Sequence, residues 1–251
     1  MNKKKVVKTI ISIFLVAVII FSLYNLIVII KDYINISNAD EYLQSEFIIS
    51  DDSDENVQNK DKSKNRGGLK INWSKLIKCN SDVIAWIYIP DTHINYPILQ
   101  GDFNEEYLSR DIHKNYLKSG SIFADSSNKR PFADFNTIIY GHNLMNSSMF
   151  SDLEKYSKLT FADAHPNVYI YTPDGKCSEY KVFSFYKVNA ADDKVYNTDV
   201  DNKTEYVKSA KEHSNIESDI DESKISNIIT LSTCTNIDYG ERYVLHAVKT
   251  Q

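Results

Sequence analysis

Cys234 is the residue whose type and surroundings most directly suggest covalent chemistry. It lies in residues 231–236 (LSTCTN), among small hydroxyl residues and directly after an apolar run. A free thiol has a pKa of about 8.5, so only a few per cent is thiolate at neutral pH. A nucleophilic role for Cys234 therefore requires a nearby positive charge and a group that transfers protons.

Arg242 follows Cys234 by eight residues, across a polar turn that contains Gly240. If two strands flank this turn, Arg242 lies near Cys234 and can offer charge and hydrogen-bond donors to a developing oxyanion. Proton transfer needs a histidine. His142 follows a β-like run in IIYGHN, whereas His246 lies on the Arg242 strand, further from the turn. The residues alone leave both histidines open, and also a site without a catalytic histidine.

A structural role is the alternative reading of every cysteine, because free cysteines are usually buried and unreactive. Cys79 ends a short helical segment, and Cys177 lies in a predicted hairpin turn with only lysines as basic neighbours. We predict that neither is catalytic. No Cys/His spacing is typical of a zinc site, so we expect no metal and no cofactor. Four histidines lie in polar segments and are expected at the surface: His93, His113, His165 and His213.

The elements that must position these residues are mostly short strands. Eight β-like runs occur after residue 80, at 83–89, 96–99, 121–124, 137–140, 168–172, 180–188, 225–231 and 243–248. The sequence Pro173-Asp174-Gly175 predicts a hairpin turn between the fifth and sixth. Apolar spacing predicts helices over 69–79, 146–156 and 201–213. This pattern favours a mainly β fold, a closed barrel or a sandwich, with the barrel preferred.

The N-terminus predicts a membrane segment. Four lysines precede an apolar run over 10–30 that is long enough to cross the hydrocarbon layer. No A-x-A-like cleavage site follows, so we predict an uncleaved signal anchor. The lysine bias predicts a cytoplasmic tail over 1–9 and an outward-facing body. We expect a polar stalk or linker over 31–68 and a folded domain over 69–251. With a net charge of −5 and no basic stripe, the chain is not predicted to bind nucleic acid.

Several stretches resemble one enzyme family. TLSTC at 230–234, followed by Arg242, matches the T-L-x-T-C…R signature of sortases, and IIYGHN resembles the segment that carries the sortase histidine. Residues 82–108 and 120–128 resemble class B sortases in particular, and the helix predicted over 201–213 lies where class B enzymes carry an extra helix. The resemblance covers roughly 69–249.

This resemblance implies a closed eight-stranded sortase-type β-barrel and a cysteine transpeptidase. Cys234 would attack the threonine carbonyl of a sorting motif and form a thioacyl enzyme. His142, rather than His246, would protonate the leaving amine and deprotonate the incoming one. Arg242 would position substrate or hold the oxyanion, and Ser232 is a substrate contact by analogy.

The class B resemblance further implies the partners. These are secreted proteins with an NPxTx-like motif near the C-terminus, and an amino group of peptidoglycan or its precursor as acceptor. It implies a Gram-positive cell surface, with the enzyme in the cell membrane and its catalytic domain outside.

Two other readings compete with the transpeptidase. An outward-facing cysteine endopeptidase would share the thioacyl step but use water as the acceptor. A membrane-anchored binding module would need no reactive thiol. Cysteine transpeptidases that cross-link peptidoglycan carry histidine and glycine directly before the cysteine, whereas this chain has Ser232 and Thr233 there.

Overall fold

The computed structural model describes residues 3–49, 67–192, 194–234 and 240–250, and for Cys234 the description is limited to the backbone. The chain divides into two compact units, Met1–Ala39 and Asp40–Gln251. The larger unit thus begins inside the segment 31–68, for which the sequence predicts a stalk. Most of the polar linker predicted within that segment, residues 50–66, lies outside the described residues.

Helix α1 runs without interruption over Lys3–Phe47 and contains the apolar run predicted at 10–30. Among the residues that the structure describes, it is the one helix long and apolar enough to cross a membrane. Large side chains such as Phe14 and Phe21 are about two-thirds exposed on it. Length and composition of this kind are shared by membrane spans and signal sequences.

The last two turns of α1 belong to the larger unit and pack on it. Leu43 and Phe47 are buried in its core. The Asn95 side chain donates a 2.7 Å hydrogen bond to the Gln44 amide oxygen and accepts one from the Trp86 indole at 2.6 Å. Apolar burial and a satisfied polar pair therefore fix this end of the helix to the second strand of the barrel.

The eight predicted strands form a closed barrel. In chain order the strands are β1 Val83–Tyr88, β2 Asn95–Leu99, β3 Ile122–Ala124, β4 Asn136–Tyr140, β5 Asn167–Tyr171, β6 Cys177–Asn189, β7 Ile228–Cys234 and β8 Glu241–Lys249. Around the barrel they follow the order β1-β2-β3-β4-β7-β8-β6-β5, and β5 closes on β1. The pairs β2–β3 and β4–β7 are parallel and the others antiparallel. The prediction of a closed mainly β barrel is confirmed.

The predicted hairpin is also present. Strands β5 and β6 pair antiparallel from Asn167↔Lys181 to Tyr171↔Cys177. Gly175 has φ of +79°, the left-handed conformation that glycine adopts without steric cost. Local turn chemistry therefore fixes the register of this pair.

Residues of β7 alternate between two apolar layers. Ile229 and Leu231 are fully buried in the main core inside the barrel. Ile228 belongs to a second cluster with Val207 and Ala210, which lie on the helix between β6 and β7. Thr230 and Ser232 share the outer face with Ile228, yet both are buried. The segment between β6 and β7 therefore covers the outer face of β7.

Besides the end of α1, the described part of the larger unit holds four helical elements of six residues or more and one shorter turn. Helices α2 (Trp73–Cys79) and α4 (Lys203–His213) lie where the sequence predicts them, each with an asparagine cap, Asn72 and Asn202. The other two elements are a 3₁₀ helix over Ser151–Ser157 and α3 over Leu159–Ala164. A shorter 3₁₀ turn, Glu222–Lys224, precedes β7.

The helix predicted over 146–156 is wrong in its first half. Residues 141–150 form a turn, in which Asn143 bridges to Met149. Ser147 and Met149 have φ of +63° and +56°, which a right-handed helix excludes. The Ser151 hydroxyl donates to the Leu144 carbonyl at 2.8 Å, so side-chain bonding competes successfully with helix formation.

Candidate active site

Strand register brings the three residues of the predicted site to one end of the barrel. Tyr140 on β4 lies opposite Ser232 on the parallel strand β7. His142 follows Tyr140 by two residues, and Cys234 follows Ser232 by two residues. The backbones of His142 and Cys234 therefore lie at the same height at this end of the barrel. On the other side of β7, Cys234 pairs with Arg242 on β8.

A cleft of about 390 Å³ opens at this end of the barrel. Its walls come from β4, from the end of β7, from β8 and from the segments that follow β2 and β6. The described lining residues are Asn104, Glu105, Leu108, Tyr140, Gly141, His142, Ala190, Tyr196, Ser232, Thr233 and Arg242. Two of the predicted site residues, His142 and Arg242, thus line the same cleft, and so does Ser232.

His142 is half-buried and held at three points. Gly141 donates to the Ser232 carbonyl at 3.1 Å, and the His142 carbonyl accepts from the Phe150 amide at 2.9 Å. The His142 ring places Nε2 2.9 Å from the Leu108 carbonyl oxygen. A Cβ atom on Gly141 would lie 2.8 Å from the Phe150 ring, so the position before the histidine requires glycine. Backbone and ring are both fixed before any substrate arrives.

Arg242 extends from the second position of β8 into the cleft. Its side chain is half-buried, and Nη1 donates to the Glu241 carbonyl at 2.9 Å. Burial and the Asp125 carboxylate raise the pKa of Tyr140, and the nearby Arg242 guanidinium offsets this only in part. Because Arg242 pairs with Cys234 and lines the cleft, it places a cation beside the end of β7.

Ser232 forms part of the cleft floor and is only 1% exposed. Its Oγ lies 3.0 Å from the hydroxyl of Tyr196, which belongs to the segment after β6. The Tyr196 ring packs against that of Tyr140, with centroids 6.0 Å apart. Ser232 thus already has a protein partner, which ties β7 to the cleft wall.

Asp125 connects two residues of the cleft lining, Tyr140 and Asn104. Its buried carboxylate accepts hydrogen bonds from the Tyr140 hydroxyl at 2.8 Å and from the Asn104 amide at 3.0 Å. The Asn104 amide oxygen accepts from the Ser126 amide at 2.7 Å. Both ends of the Asn104 amide are therefore oriented. Within the described part of the chain no other group uses its second N–H or its second lone pair, which can serve a ligand in the cleft.

His246, the competing histidine, lies away from the cleft. It pairs with Thr230 on β7, four pairs along β8 from Arg242, and it is fully buried. Its Nδ1 lies 2.9 Å from the Thr230 hydroxyl and its Nε2 3.2 Å from the Tyr186 hydroxyl. Burial lowers the pKa of His246 to about 3. A histidine that stays neutral and has both nitrogens occupied is a structural residue of the strand.

The remaining thiols lie outside the cleft. Cys79 ends α2, with Sγ 3.4 Å from His113 Nδ1, and burial raises its pKa, the opposite of activation. Cys177 begins β6, opposite Tyr171. Within the described ranges, no group of three or more His, Cys, Asp or Glu side chains is placed to hold a metal ion.

Sequence reasoning missed several residues of the cleft. Tyr140 carried one signal, since it stands at the alternate position before His142 at a strand end. Leu108 carried none, because it acts through its backbone carbonyl. Asn104 and Tyr196 lie in polar segments whose path over the barrel the sequence does not reveal.

Comparison with known proteins gives a consistent result. A family model described as the sortase domain matches residues 87–250. The chain is 36% identical to sortase B of Staphylococcus aureus (strain NCTC 8325 / PS 47) over 177 residues, which are 68% of this chain and 71% of the relative. It is 38% identical to sortase B of Listeria monocytogenes over 178 residues, 69% and 71% of the two chains.

Solved structures show the same relationship. The X-ray structure of Clostridium perfringens sortase B superposes with a TM-score of 0.66 at 32% identity, covering 71% of this chain and 99% of that one. A Staphylococcus aureus sortase B–substrate complex has a TM-score of 0.65 at 28% identity, covering 86% and 94%. A sortase B complexed with triglycine has a TM-score of 0.64 at 28% identity, covering 88% and 97%. The chain therefore belongs to the sortase family of cysteine transpeptidases, and its relatives place it in class B.

Proposed function

We propose that Cys234, His142 and Arg242 form the catalytic site of this transpeptidase. The observation that carries the proposal is the register of β4, β7 and β8, which brings the three positions to one cleft end. A nucleophile, a proton-transfer group and a fixed cation are the parts that acyl transfer requires. Glu105 and Asn104 line the same cleft and are available to a bound peptide.

The first half of the reaction forms a thioester. The Cys234 thiolate attacks the carbonyl carbon of a threonine residue, and the electron pair of the C=O bond moves to the oxygen. Arg242 donates to this oxyanion or to the adjacent peptide. When the carbonyl re-forms, the C–N bond breaks, and the His142 imidazolium gives its proton to the departing amine. The enzyme is then acylated and His142 is neutral.

The second half transfers the acyl group. An incoming amine attacks the thioester carbonyl, and neutral His142 accepts one proton from the amine nitrogen. The C–S bond breaks, the electron pair returns to sulfur, and a new amide is released. Thiolate and imidazolium are restored, so no external acid or base is consumed.

The substrate is proposed to be an NPxTx-like sorting motif in a secreted protein, cleaved after threonine. The class B relationship supports this motif, and the solved complex of a Staphylococcus aureus sortase B with its substrate supports substrate binding in this fold. The oriented Asn104 amide offers a donor and an acceptor to a peptide that carries amide groups. Acceptance of an amine is supported by the sortase B complex with triglycine. We propose an amino group of peptidoglycan or its precursor as the acceptor.

We further propose that residues 10–30 anchor the enzyme in the cell membrane, with residues 1–9 cytoplasmic and the catalytic domain, 69–251, outside. The lysines before the apolar run and the exposed apolar side chains of α1 support this. A Gram-positive surface fits the peptidoglycan acceptor. Proteolysis of intact protoplasts tests the orientation: an outward domain is digested, whereas an inward one is protected.

The decisive experiment uses the full chain in detergent micelles with labelled peptides. A panel varies the Asn-Pro-x-Thr-x motif one position at a time, each with and without triglycine. We expect cleavage after threonine, and an increasing share of the triglycine adduct as the amine concentration rises. Cys234→Ala is expected to abolish both products, while Cys79→Ala, which removes a thiol outside the cleft, retains them.

The alternatives give different outcomes in the same experiment. An endopeptidase yields only the hydrolysed peptide at every amine concentration. A binding module yields no product, and the Cys234→Ala variant then binds peptide as the parent chain does. Either outcome overturns the proposed transpeptidation.

A further inference from the structure

The ring of His142 contacts a backbone carbonyl, and this contact determines which ring nitrogen carries a hydrogen. Nε2 lies 2.9 Å from the Leu108 oxygen. A carbonyl oxygen only accepts hydrogen bonds, so Nε2 must carry a hydrogen in every protonation state that keeps the contact. A neutral imidazole has one N–H, which leaves the lone pair on Nδ1. Among the described residues, Nδ1 has no hydrogen-bond partner.

The Leu108 carbonyl is a rigid acceptor because its neighbours on both sides are tied down. The Tyr107 carbonyl accepts from the Ser121 amide at 3.0 Å, and the Ser109 carbonyl accepts from the Leu117 amide at 3.1 Å. The Tyr107 side chain is fully buried, and its hydroxyl donates to Asp82 at 2.6 Å. The carbonyl of Leu108 therefore cannot rotate away without breaking several hydrogen bonds.

Gly120 makes this arrangement sterically possible. It has φ of +58°, and a Cβ atom there would lie 2.5 Å from the Leu108 oxygen and 2.7 Å from its carbonyl carbon. It would also overlap the Tyr107 oxygen. Real Cβ atoms do not approach so closely, so any other residue at 120 displaces the peptide that holds His142.

We infer that neutral His142 is locked as the Nε2–H tautomer by the Leu108 carbonyl, that Nδ1 is the nitrogen that exchanges the catalytic proton, and that Gly120 is a positioning residue for this lock. The inference rests on the proposed role of His142. In the acylation step, the Nδ1–H bond breaks and its proton goes to the leaving amine nitrogen. In the transfer step, Nδ1 takes one proton from the incoming amine. Nε2 keeps its proton throughout.

The test is nitrogen NMR of the full chain in micelles, labelled with ¹⁵N-histidine. The signals of His142 are assigned by their loss in His142→Gln. At a pH where the ring is neutral, we expect a protonated Nε2, coupled to a slowly exchanging hydrogen, and an unprotonated Nδ1. A protonated Nδ1, or a rapidly averaging mixture of tautomers, overturns the inference.

Gly120→Ala has a matched control in Gly175→Ala. Gly175 has φ of +79°, but a Cβ there meets no atom within 4 Å, so it reproduces the backbone strain without the clash. We expect Gly120→Ala to mix the His142 tautomers and to lower kcat about 10²-fold, because a displacement near 1 Å has this effect. Gly175→Ala and Leu108→Ala, which keeps the carbonyl, should retain the wild-type tautomer.

The readouts separate the inference from the proposed function. The tautomer is measured without turnover, so an inactive protein with Nε2–H still supports the lock and refutes only the chemistry. If Gly120→Ala does not fold, the wild-type and Leu108→Ala spectra decide. If Gly120→Ala folds and keeps a single Nε2–H tautomer, Gly120 has no positioning role.

Discussion

Tyr140 on β4 lies opposite Ser232 on the parallel strand β7. Neighbouring parallel strands rise by the same distance per residue, so the positions two residues after this pair also lie side by side. These positions are His142 and Cys234. Tyr140 and Ser232 themselves line the cleft, and Tyr196 connects them, by ring packing to Tyr140 and by its hydroxyl to Ser232. One strand pair thus supplies both the floor of the cleft and the spacing of the positions proposed to be catalytic.

We predict that the main role of Ser232 is to stabilise the cleft through its hydrogen bond with Tyr196, and not to contact substrate directly. Ser232→Ala and Tyr196→Phe each remove the same hydrogen bond, from opposite ends. Each should lower the free energy of unfolding by about 1 kcal/mol and kcat/KM by less than about tenfold. Urea unfolding and peptide kinetics in micelles measure the two effects.

The double variant provides the control for this prediction. If the hydrogen bond is the shared cause, Ser232→Ala combined with Tyr196→Phe is hardly worse than either single change. A Ser232→Ala loss in kcat/KM that greatly exceeds the Tyr196→Phe loss, and adds to it, would show direct substrate contact instead.

Arg242 is predicted to contribute through its planar fork as well as its charge. Arg242→Gln should lower kcat/KM by about 10²- to 10³-fold, the usual effect of removing an oxyanion donor. Arg242→Lys should restore only part of this, because an ammonium cannot make the bidentate contact. Lys187→Gln is the matched control. The Lys187 ammonium lies 3.8 Å from the carboxylate of Glu241, which is on the same strand as Arg242, but Lys187 does not line the cleft. Equal losses from Lys187→Gln and Arg242→Gln would mean that only the long-range charge matters.

His246 is predicted to control acid stability rather than catalysis. Its pKa falls from an ordinary value of 6.5 to about 3 on folding. Between pH 6.5 and about pH 3, His246 is therefore mostly protonated in the unfolded chain and mostly neutral in the folded chain. The stability is fully present above pH 6.5 and is lost as the pH falls toward 3, by about 1.4 kcal/mol per pH unit.

Urea unfolding between pH 7 and pH 4 checks this slope. His246→Gln retains a donor and an acceptor for Thr230 and Tyr186 but does not titrate, so its free energy of unfolding should fall less steeply than that of the parent chain. Thr230→Val loses hydrogen bonds to His246 and Asn136 yet keeps the titrating group, and should retain the steeper slope. Parallel slopes for His246→Gln and the parent chain would refute the assignment.

The sequence predicts the strands of the barrel well because local patterns determine them. Alternating apolar runs give all eight strands to within a few residues, and Pro173-Asp174-Gly175 gives the hairpin between β5 and β6. The helix predicted over 146–156 fails because the Ser151 hydroxyl and the left-handed residues Ser147 and Met149 impose a turn that apolar spacing does not report.

The lining of the cleft was less predictable than the three residues proposed to be catalytic. Cys234, His142 and Arg242 have side chains whose chemistry can be read directly. The contact from Leu108 to His142 spans 34 residues and uses a carbonyl that every residue type possesses. The choice between His142 and His246 similarly depends on parallel pairing between β4 and β7, which no local pattern encodes. Long-range register is therefore what the sequence alone could not supply.

Asp125 is predicted to support both the fold and the cleft wall. Its carboxylate accepts from Tyr140 and Asn104, and Oδ1 also accepts from the Ser127 amide and hydroxyl at 2.8 and 2.6 Å. Asp125→Asn replaces one acceptor oxygen by a donor, so at least one of these donors loses its partner. The free energy of unfolding should fall by about 1–3 kcal/mol.

The same change should disturb peptide recognition, because Asn104 loses the acceptor that orients it. We expect KM for the sorting peptide to rise more than kcat falls, since the residues proposed to act on the scissile bond are untouched. Asp102→Asn is the matched control. Asp102 is an exposed aspartate in the segment that carries Asn104, and it does not line the cleft. Peptide kinetics at several substrate concentrations separate KM from kcat. A fall in kcat with KM unchanged would place the effect of Asp125 on the catalytic residues instead of the Asn104 wall.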